Sequence, residues 1–134
     1  MPYEVSFRKK TEPTDPALYI NDCCIGGDIV SARLLPLIRE QYEAVVAEQE
    51  DWGWFIWFRK GPIRLAIDIF CDDPESGRFR IHLTSRTRTL LFFDRVADTA
   101  ELETVKELVV SALSRWEAAD ILMTRLGANH LPPD

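Results

Sequence analysis

The stretch from Trp52 to Asp94 constrains the fold more than any other part of this 134-residue chain. Apolar and polar residues alternate along it, and it holds three of the four tryptophans and six of the seven phenylalanines. Neighbouring side chains of a strand point to opposite faces of a sheet, so such alternation predicts strands that each bury one face. Turn residues at Lys60-Gly61 and in 73–77 break the run. The pattern therefore predicts antiparallel strands at 53–59, 62–72, 78–86 and 89–93.

A helix is predicted before this run. Apolar residues recur at three- and four-residue steps from Leu34 to Val46, which is the spacing of one helix face. Proline is tolerable only near the start of a helix, so Pro36 favours a start near Ser31 or a kink at Pro36. Asp28 or Ser31 is the expected cap, and the helix is expected to end in the acidic stretch 48–51.

A second helix is predicted after the run. Residues 98–101 have the form of a capping box, and apolar residues then repeat at helical spacing from Leu102 to Trp116. Helical character is expected to continue to Leu126, with Gly127 as the stop signal and 127–134 as a flexible or loosely packed tail.

The order of these elements predicts an α+β fold within a single domain that spans residues 1–134. Residues 3–7 alternate as a first strand, which makes the order β-α-β-β-β-β-α. Two amphipathic helices need an apolar surface to cover, so we expect a two-layer sandwich whose antiparallel sheet is covered on one face by both helices. This order is similar to one repeat of the TATA-box-binding-protein-like topology. The resemblance lies in the order of elements alone, so it implies a fold of this kind and no function.

Charge and cysteine content exclude several classes of protein. A net charge of −6 and a pI near 4.9 disfavour a protein that coats nucleic acid or an anionic membrane. No apolar run approaches the length of a membrane span, and the first ten residues lack the apolar core of a signal peptide. Three cysteines, two of them adjacent, do not make a secreted disulfide framework. We therefore expect a cytoplasmic protein.

The alternation also predicts which side chains share a face of the sheet. Ile63, Leu65 and Ile67 belong to a wholly apolar set, which must face the helices. On the opposite face, the loop 73–77 is expected to set Asp72 opposite Arg78, Phe70 opposite Arg80 and Asp68 opposite His82. The turn at Lys60-Gly61 is expected to set Trp57 opposite Arg64 and Phe55 opposite Ala66.

This second face, which we call the outer sheet face, is the candidate binding surface. A merely solvated face would carry Thr, Lys, Glu and Ser, whereas aromatic residues beside Arg are typical of an interface core or a ligand site. The candidate residues are Phe55, Trp57, Arg59, Arg64, Asp68, Phe70, Arg80, His82 and Arg86.

Three interpretations of the outer sheet face remain open. It is a binding site for a partner protein or a second copy of the chain, which makes the protein an interaction module. It is the site of a small-molecule-binding protein or minor enzyme that uses Asp68, Arg80 and His82. Alternatively, Leu18–Cys24 or the tail covers it from within the same chain.

Other chemistry has little support in the sequence. Adjacent Cys23 and Cys24 do not have the spacing of a zinc site, and the acidic loop after residue 71 lacks the pattern of an EF-hand. Gly26-Gly27 lacks the Lys and Ser or Thr of a phosphate-binding loop. Acidic residues on the outer sheet face disfavour a platform for single-stranded nucleic acid. No metal or other cofactor is expected.

Overall fold

The structure, a computed structural model, describes residues 2–13, 15–88 and 94–127. Two short 3-10 turns, Pro16–Leu18 and Asp22–Cys24, precede the first long helix. The helices are α1 (Gly27–Gln41) and α2 (Ala100–Arg115), and the strands are β1 (Tyr3–Arg8), β2 (Glu43–Glu50), β3 (Gly53–Lys60), β4 (Ile63–Asp73), β5 (Arg78–Arg88), β6 (Asp94–Val96) and β7 (Ala119–Arg125).

All seven described strands belong to one antiparallel sheet. The strand order is β2-β3-β4-β5-β1-β7, and β6 pairs with the end of β5 beyond the part that β1 occupies. The first strand thus lies inside the sheet, between β5 and β7. The predicted α+β fold with an antiparallel sheet and two helices is confirmed, and the sheet contains three strands, β2, β6 and β7, that the sequence pattern did not predict.

The helices pack on the apolar face of the sheet and close the core. α1 contacts β2, β3 and β4, while α2 contacts β5 and β7. Ile56, Ile67 and Ile81, at the centre of three neighbouring strands, are fully buried beneath the helices. Burial of apolar surface stabilises the fold by about 25 cal/mol per Å², so this layer is the main source of stability. The most deeply buried helix residues are Val30, Leu34, Ile38, Leu102, Val105, Val109 and Leu113.

The first helix differs from its prediction at both ends. It begins at Gly27 after Gly26, whose φ is 80°, and neither Asp28 nor Ser31 caps it. Asp28 instead accepts a hydrogen bond from the Tyr19 hydroxyl at 2.7 Å. Pro36 lies inside the helix at an exposed position, where water can bond the carbonyl group that loses its usual donor.

The expected end of this helix in 48–51 is wrong. α1 ends at Gln41, and Glu43–Glu50 forms β2 at the edge of the sheet, paired with β3. Val45 and Val46 suit either structure by spacing, and their branched side chains favour the strand. The pairing of this segment with β3 favours the strand over the helix. The sequence pattern of the segment itself gives no information about that pairing.

The predicted continuation of the second helix to Leu126 is also wrong. α2 ends at Arg115, and Ala119–Arg125 forms β7, paired with β1. Asp98 and Thr99 were both candidates for the cap, and the structure selects Thr99, whose hydroxyl accepts a hydrogen bond from the Leu102 amide at 3.1 Å.

Two predictions fall outside the described residues. The strand expected at 89–93 lies there, as does the expected tail except for Gly127. In the described parts of the chain, neither helix has the length and apolar character needed to cross a membrane.

Candidate functional site

The register of the central strands places the candidate residues on the outer sheet face as predicted. Asp68 lies opposite His82, and Phe70 lies opposite Arg80. A bulge between residues 71 and 73 sets Asp73, rather than Asp72, opposite Arg78, so that predicted pair is wrong.

The predicted pairing between β3 and β4 is wrong by two residues. Trp57 lies opposite Ala66 and Phe55 lies opposite Asp68, because the two loop residues are Gly61-Pro62 rather than Lys60-Gly61. The φ of Gly61 is 56°, a value that glycine adopts without strain. A shift of two residues keeps each side chain on its face, so the composition of the outer sheet face is unchanged.

One half of the outer sheet face is closed by aromatic packing. Phe55 is only 4% exposed, and its ring packs against Trp52 and Trp57, with ring centroids 6.5 and 4.1 Å apart. Trp52 also packs on Phe70 at 5.2 Å, and Phe70 meets the imidazole of His82 edge-on at 5.1 Å. Trp52 lies in the turn before β3, outside the predicted strand 53–59, so parity alone could not place it here.

Charged groups complete the closed half as a connected network. The Arg80 guanidinium donates to Asp72 at 3.2 and 3.3 Å, lies 3.7 Å from Glu4 and stacks over the Phe70 ring at 4.7 Å. The Nε2 atom of His82 lies 3.0 Å from Glu4 Oε1. Arg80 and His82 are therefore tied to each other and to β1, and sequence analysis missed Glu4 because β1 and β5 are distant in the chain.

The other half of the face is open and contains a cavity of about 500 Å³. The side chains that line it on β3, β4 and β5 include Trp57, Arg59, Arg64, Asp68, Thr84 and Arg86. Five of these six were predicted as candidates, whereas Arg80 and His82 do not line the cavity. Thr84 lines the cavity although it is only 4% exposed, and parity within β5 predicts its outward position.

Three arginines cross the open half side by side. Arg59 lies directly opposite Arg64, and Arg64 lies directly opposite Arg86, so the three occupy one line across β3, β4 and β5. We call them the arginine row. Neighbouring strands are about 4.8 Å apart, and like charges placed directly opposite each other destabilise a sheet. Glu43 of β2 lies opposite Arg59 and continues this line, but among the described residues no carboxylate is within ion-pair distance of Arg59 or Arg86.

An exposed apolar patch borders the arginine row. Trp57 is 48% exposed and Val46, its register partner on β2, is 52% exposed. The Trp57 indole stacks on Phe55 at 4.1 Å and donates its Nε1 proton to Asp68 at 3.2 Å. Both contacts hold the ring in place, so the ring offers a surface whose orientation is already set.

The N-terminal segment does not cover this half of the face. The amide of Ile20 donates to Gln49 Oε1 at 2.9 Å, and the carbonyl of Cys24 accepts from Trp54 Nε1 at 2.8 Å. Gln49 and Trp54 are register partners on the helix side of the sheet. The interpretation that Leu18–Cys24 covers the outer sheet face is therefore wrong, while the tail at 128–134 lies outside the described residues.

The glycine pair before α1 and the candidate metal ligands of the sequence do not form further sites in the described residues. A Cβ atom on Gly27 would lie 2.2 Å from Trp54 Cδ1, so packing against the indole requires glycine there. In the described parts of the chain, no group of three or more His, Cys, Asp or Glu side chains is placed to hold a metal ion.

Comparison with known proteins adds no assignment. A scan against protein-family models, a search of curated proteins and a search of solved structures each return no match.

Proposed function

We propose that this protein is a small interaction module that binds a partner protein through the open half of its outer sheet face. The observation that carries the proposal is the cavity in which Trp57, held by Phe55 and Asp68, borders the arginine row. Tryptophan and arginine are the residues that most often dominate the binding energy of protein interfaces.

Preorganisation of the site supports the same proposal. Binding costs less side-chain entropy when an anchor is already ordered, and the contacts of Trp57 order it in the free protein. The closed half gives the site a rigid base, because Arg80 and His82 link β5 to β1 through Glu4. We further propose a cytoplasmic location, which three free cysteines support.

A small-molecule site at the same place is the second candidate. A cavity of about 500 Å³ has the size of many ligand pockets. Of the three residues assigned to an enzyme by this alternative, only Asp68 lines the cavity. A ligand-binding role thus fits better than an acid–base reaction by His82, because this residue is only 8% exposed and its ring contacts Glu4.

The test of the proposed function is loss of a partner on removal of Trp57. Affinity capture with the wild-type chain, followed by reconstitution with the purified partner, gives a binding constant by calorimetry. Trp57→Ala is expected to cost about 2 kcal/mol of binding free energy, close to a thirtyfold loss of affinity.

Leu122→Ala is the matched control, because Leu122 is 62% exposed on β7, outside the cavity. Both variants should keep the wild-type circular dichroism spectrum. A partner that binds Trp57→Ala as tightly as the wild type contradicts the proposal. Light scattering adds a further check, since a dimer that Trp57→Ala dissociates identifies the partner as a second copy.

A further inference from the structure

We infer that the partner contributes a short acidic segment, whose carboxylates contact the arginine row and whose apolar side chain packs on Trp57 and Val46. This inference rests on the proposed function and specifies the chemistry of the partner. It follows from three observations: the alignment of the arginines, the apolar patch beside them, and an acidic group in the same cavity.

The arginine row is a site for more than one negative charge. Arg59, Arg64 and Arg86 lie on consecutive strands in direct register, so the row is about 10 Å long, which is two strand spacings. Guanidinium groups bind carboxylates through two parallel hydrogen bonds, and no described carboxylate forms an ion pair with Arg59 or Arg86, which lie at the two ends of the row. Alternate side chains of an extended segment are about 7 Å apart, so two acidic residues on one side of such a segment span the row.

The apolar patch requires that the ligand is not purely ionic. Trp57 and Val46 are about half exposed and adjacent across β2 and β3, next to the end of the row at Arg59. A bound apolar side chain removes this surface from water. Inorganic phosphate has no apolar group to pack on this patch. A peptide that alternates acidic and apolar residues can contact both the arginine row and the patch.

Asp68 distinguishes a peptide from a nucleic acid. Its carboxylate lines the same cavity and accepts the Trp57 Nε1 proton, so it lies beside the ring on which a base would stack. A strand of phosphates carries one negative charge at every nucleotide, so a nucleotide stacked on Trp57 would bring a phosphate close to this carboxylate. A short acidic segment can place its few carboxylates on the arginines, and the charge of the rest of the protein is screened beyond about 8 Å at physiological salt.

The experiment uses three labelled synthetic peptides of equal length and the 134-residue chain. One peptide alternates Glu and Leu, the second replaces Glu with Gln, and the third replaces Glu with Lys. Fluorescence anisotropy should show that the Glu peptide binds at least about tenfold more tightly than the Gln peptide, and that added NaCl weakens it. The Lys peptide is expected not to bind.

The variant Arg59→Gln/Arg86→Gln tests whether the arginine row carries this preference. It should lower the affinity for the Glu peptide by about tenfold or more, to the level of the Gln peptide. Arg39→Gln/Arg115→Gln is the matched control, since it removes two exposed arginines from the helices and leaves the outer sheet face intact. The control should bind the Glu peptide as the wild type does.

Each contrary result has a definite meaning. Equal affinity for the Glu and Gln peptides, with Trp57→Ala still reducing both, overturns the acidic segment but leaves the proposed function standing. If no peptide binds but a captured partner still requires Trp57, the acidic segment is likewise overturned and the proposed function stands. A single-stranded oligonucleotide or inorganic phosphate that displaces the Glu peptide at lower concentration also overturns the inference. Loss of all Trp57-dependent binding, peptide and partner alike, overturns both proposals.

Discussion

At the scale of single residues, the three cysteines occupy very different surroundings. Cys23 is exposed, whereas Cys24 and Cys71 are buried. The Cys24 thiol donates to the carbonyl oxygen of Glu50 at 3.0 Å and helps to fix the N-terminal segment beside β2. Cys71 faces the core from β4 as a small apolar residue.

These surroundings predict that only Cys23 reacts with an alkylating reagent in the folded protein near neutral pH. Burial raises the pKa of the Cys24 thiol, and burial together with the charge of Asp72 raises the pKa of Cys71 to about 11. Since the thiolate is the reactive form, the raised pKa alone slows Cys71 by about a hundredfold, and lack of access slows it further. Mass spectrometry after timed alkylation measures the three sites separately.

Denaturant supplies the control, because all three cysteines should react at similar rates in the unfolded chain. Fast labelling of Cys71 under native conditions contradicts its burial in the core.

At the scale of elements, the end of α2 shows how a helix stops without glycine. The Ala118 amide bonds the Leu113 carbonyl and the Glu117 amide bonds the Ser114 carbonyl, which is the Schellman pattern. Glu117 occupies the position that normally carries glycine, with φ at 61°. This left-handed conformation costs a residue with a Cβ atom about 1–2 kcal/mol. The sequence therefore has no glycine at the point where α2 ends, which is why the pattern predicts a longer helix.

Glu117→Gly is expected to stabilise the protein by up to about 1 kcal/mol, since the gain from relieving the left-handed strain exceeds the extra flexibility of an unfolded glycine. Urea unfolding followed by circular dichroism measures the change. Glu117→Gln is the matched control, because it removes the charge and keeps the Cβ atom, and it should leave stability near the wild-type value. A gain in the Gln variant equal to that of Gly would assign the effect to charge instead.

At the scale of the whole molecule, two tyrosine hydroxyls connect the helices to each other and to the segment before α1. The Tyr42 hydroxyl, at the end of α1, donates to Glu101 of α2 at 3.3 Å, and the Tyr19 hydroxyl ties the N-terminal segment to Asp28 of α1. Burial, followed by the charge of Glu101, raises the pKa of Tyr42 to about 12. Burial, followed by the hydrogen bond to Asp28, raises the pKa of Tyr19 to about 12.

These shifts predict a loss of stability in alkali. Unfolded tyrosines ionise near pH 10, whereas the two folded tyrosines hold their protons to about pH 12. Between those values the unfolded chain binds fewer protons than the folded protein, so the free energy of unfolding falls as pH rises. Below about pH 10 both states are protonated and this contribution is constant. Urea unfolding at a series of pH values measures the slope.

Tyr19→Phe/Tyr42→Phe removes both ionisations and should give a shallower fall in that range. If the double variant loses stability as steeply as the wild type, these two tyrosines do not cause the alkaline transition.

The sequence predicted which face of the sheet each site residue occupies. Alternation within β3, β4 and β5 placed Trp57 and the arginine row on the outer side, because the period of a strand depends only on its own residues. Division of that face into a closed and an open half could not be predicted. It depends on Trp52 folding back from a turn and on Glu4 arriving from β1.

The sequence by itself determined the α+β class, the central strands, the two helices and the apolar layer between them. Each of these follows from a local period that a few consecutive residues establish. Only the tertiary structure decided that the segments now forming β2 and β7 are strands, that β1 lies beside β5, and that Arg59, Arg64 and Arg86 form one line. Those features depend on hydrogen bonds and turn geometry between separate strands, and a two-residue shift in one hairpin was enough to bring the three arginines into direct register.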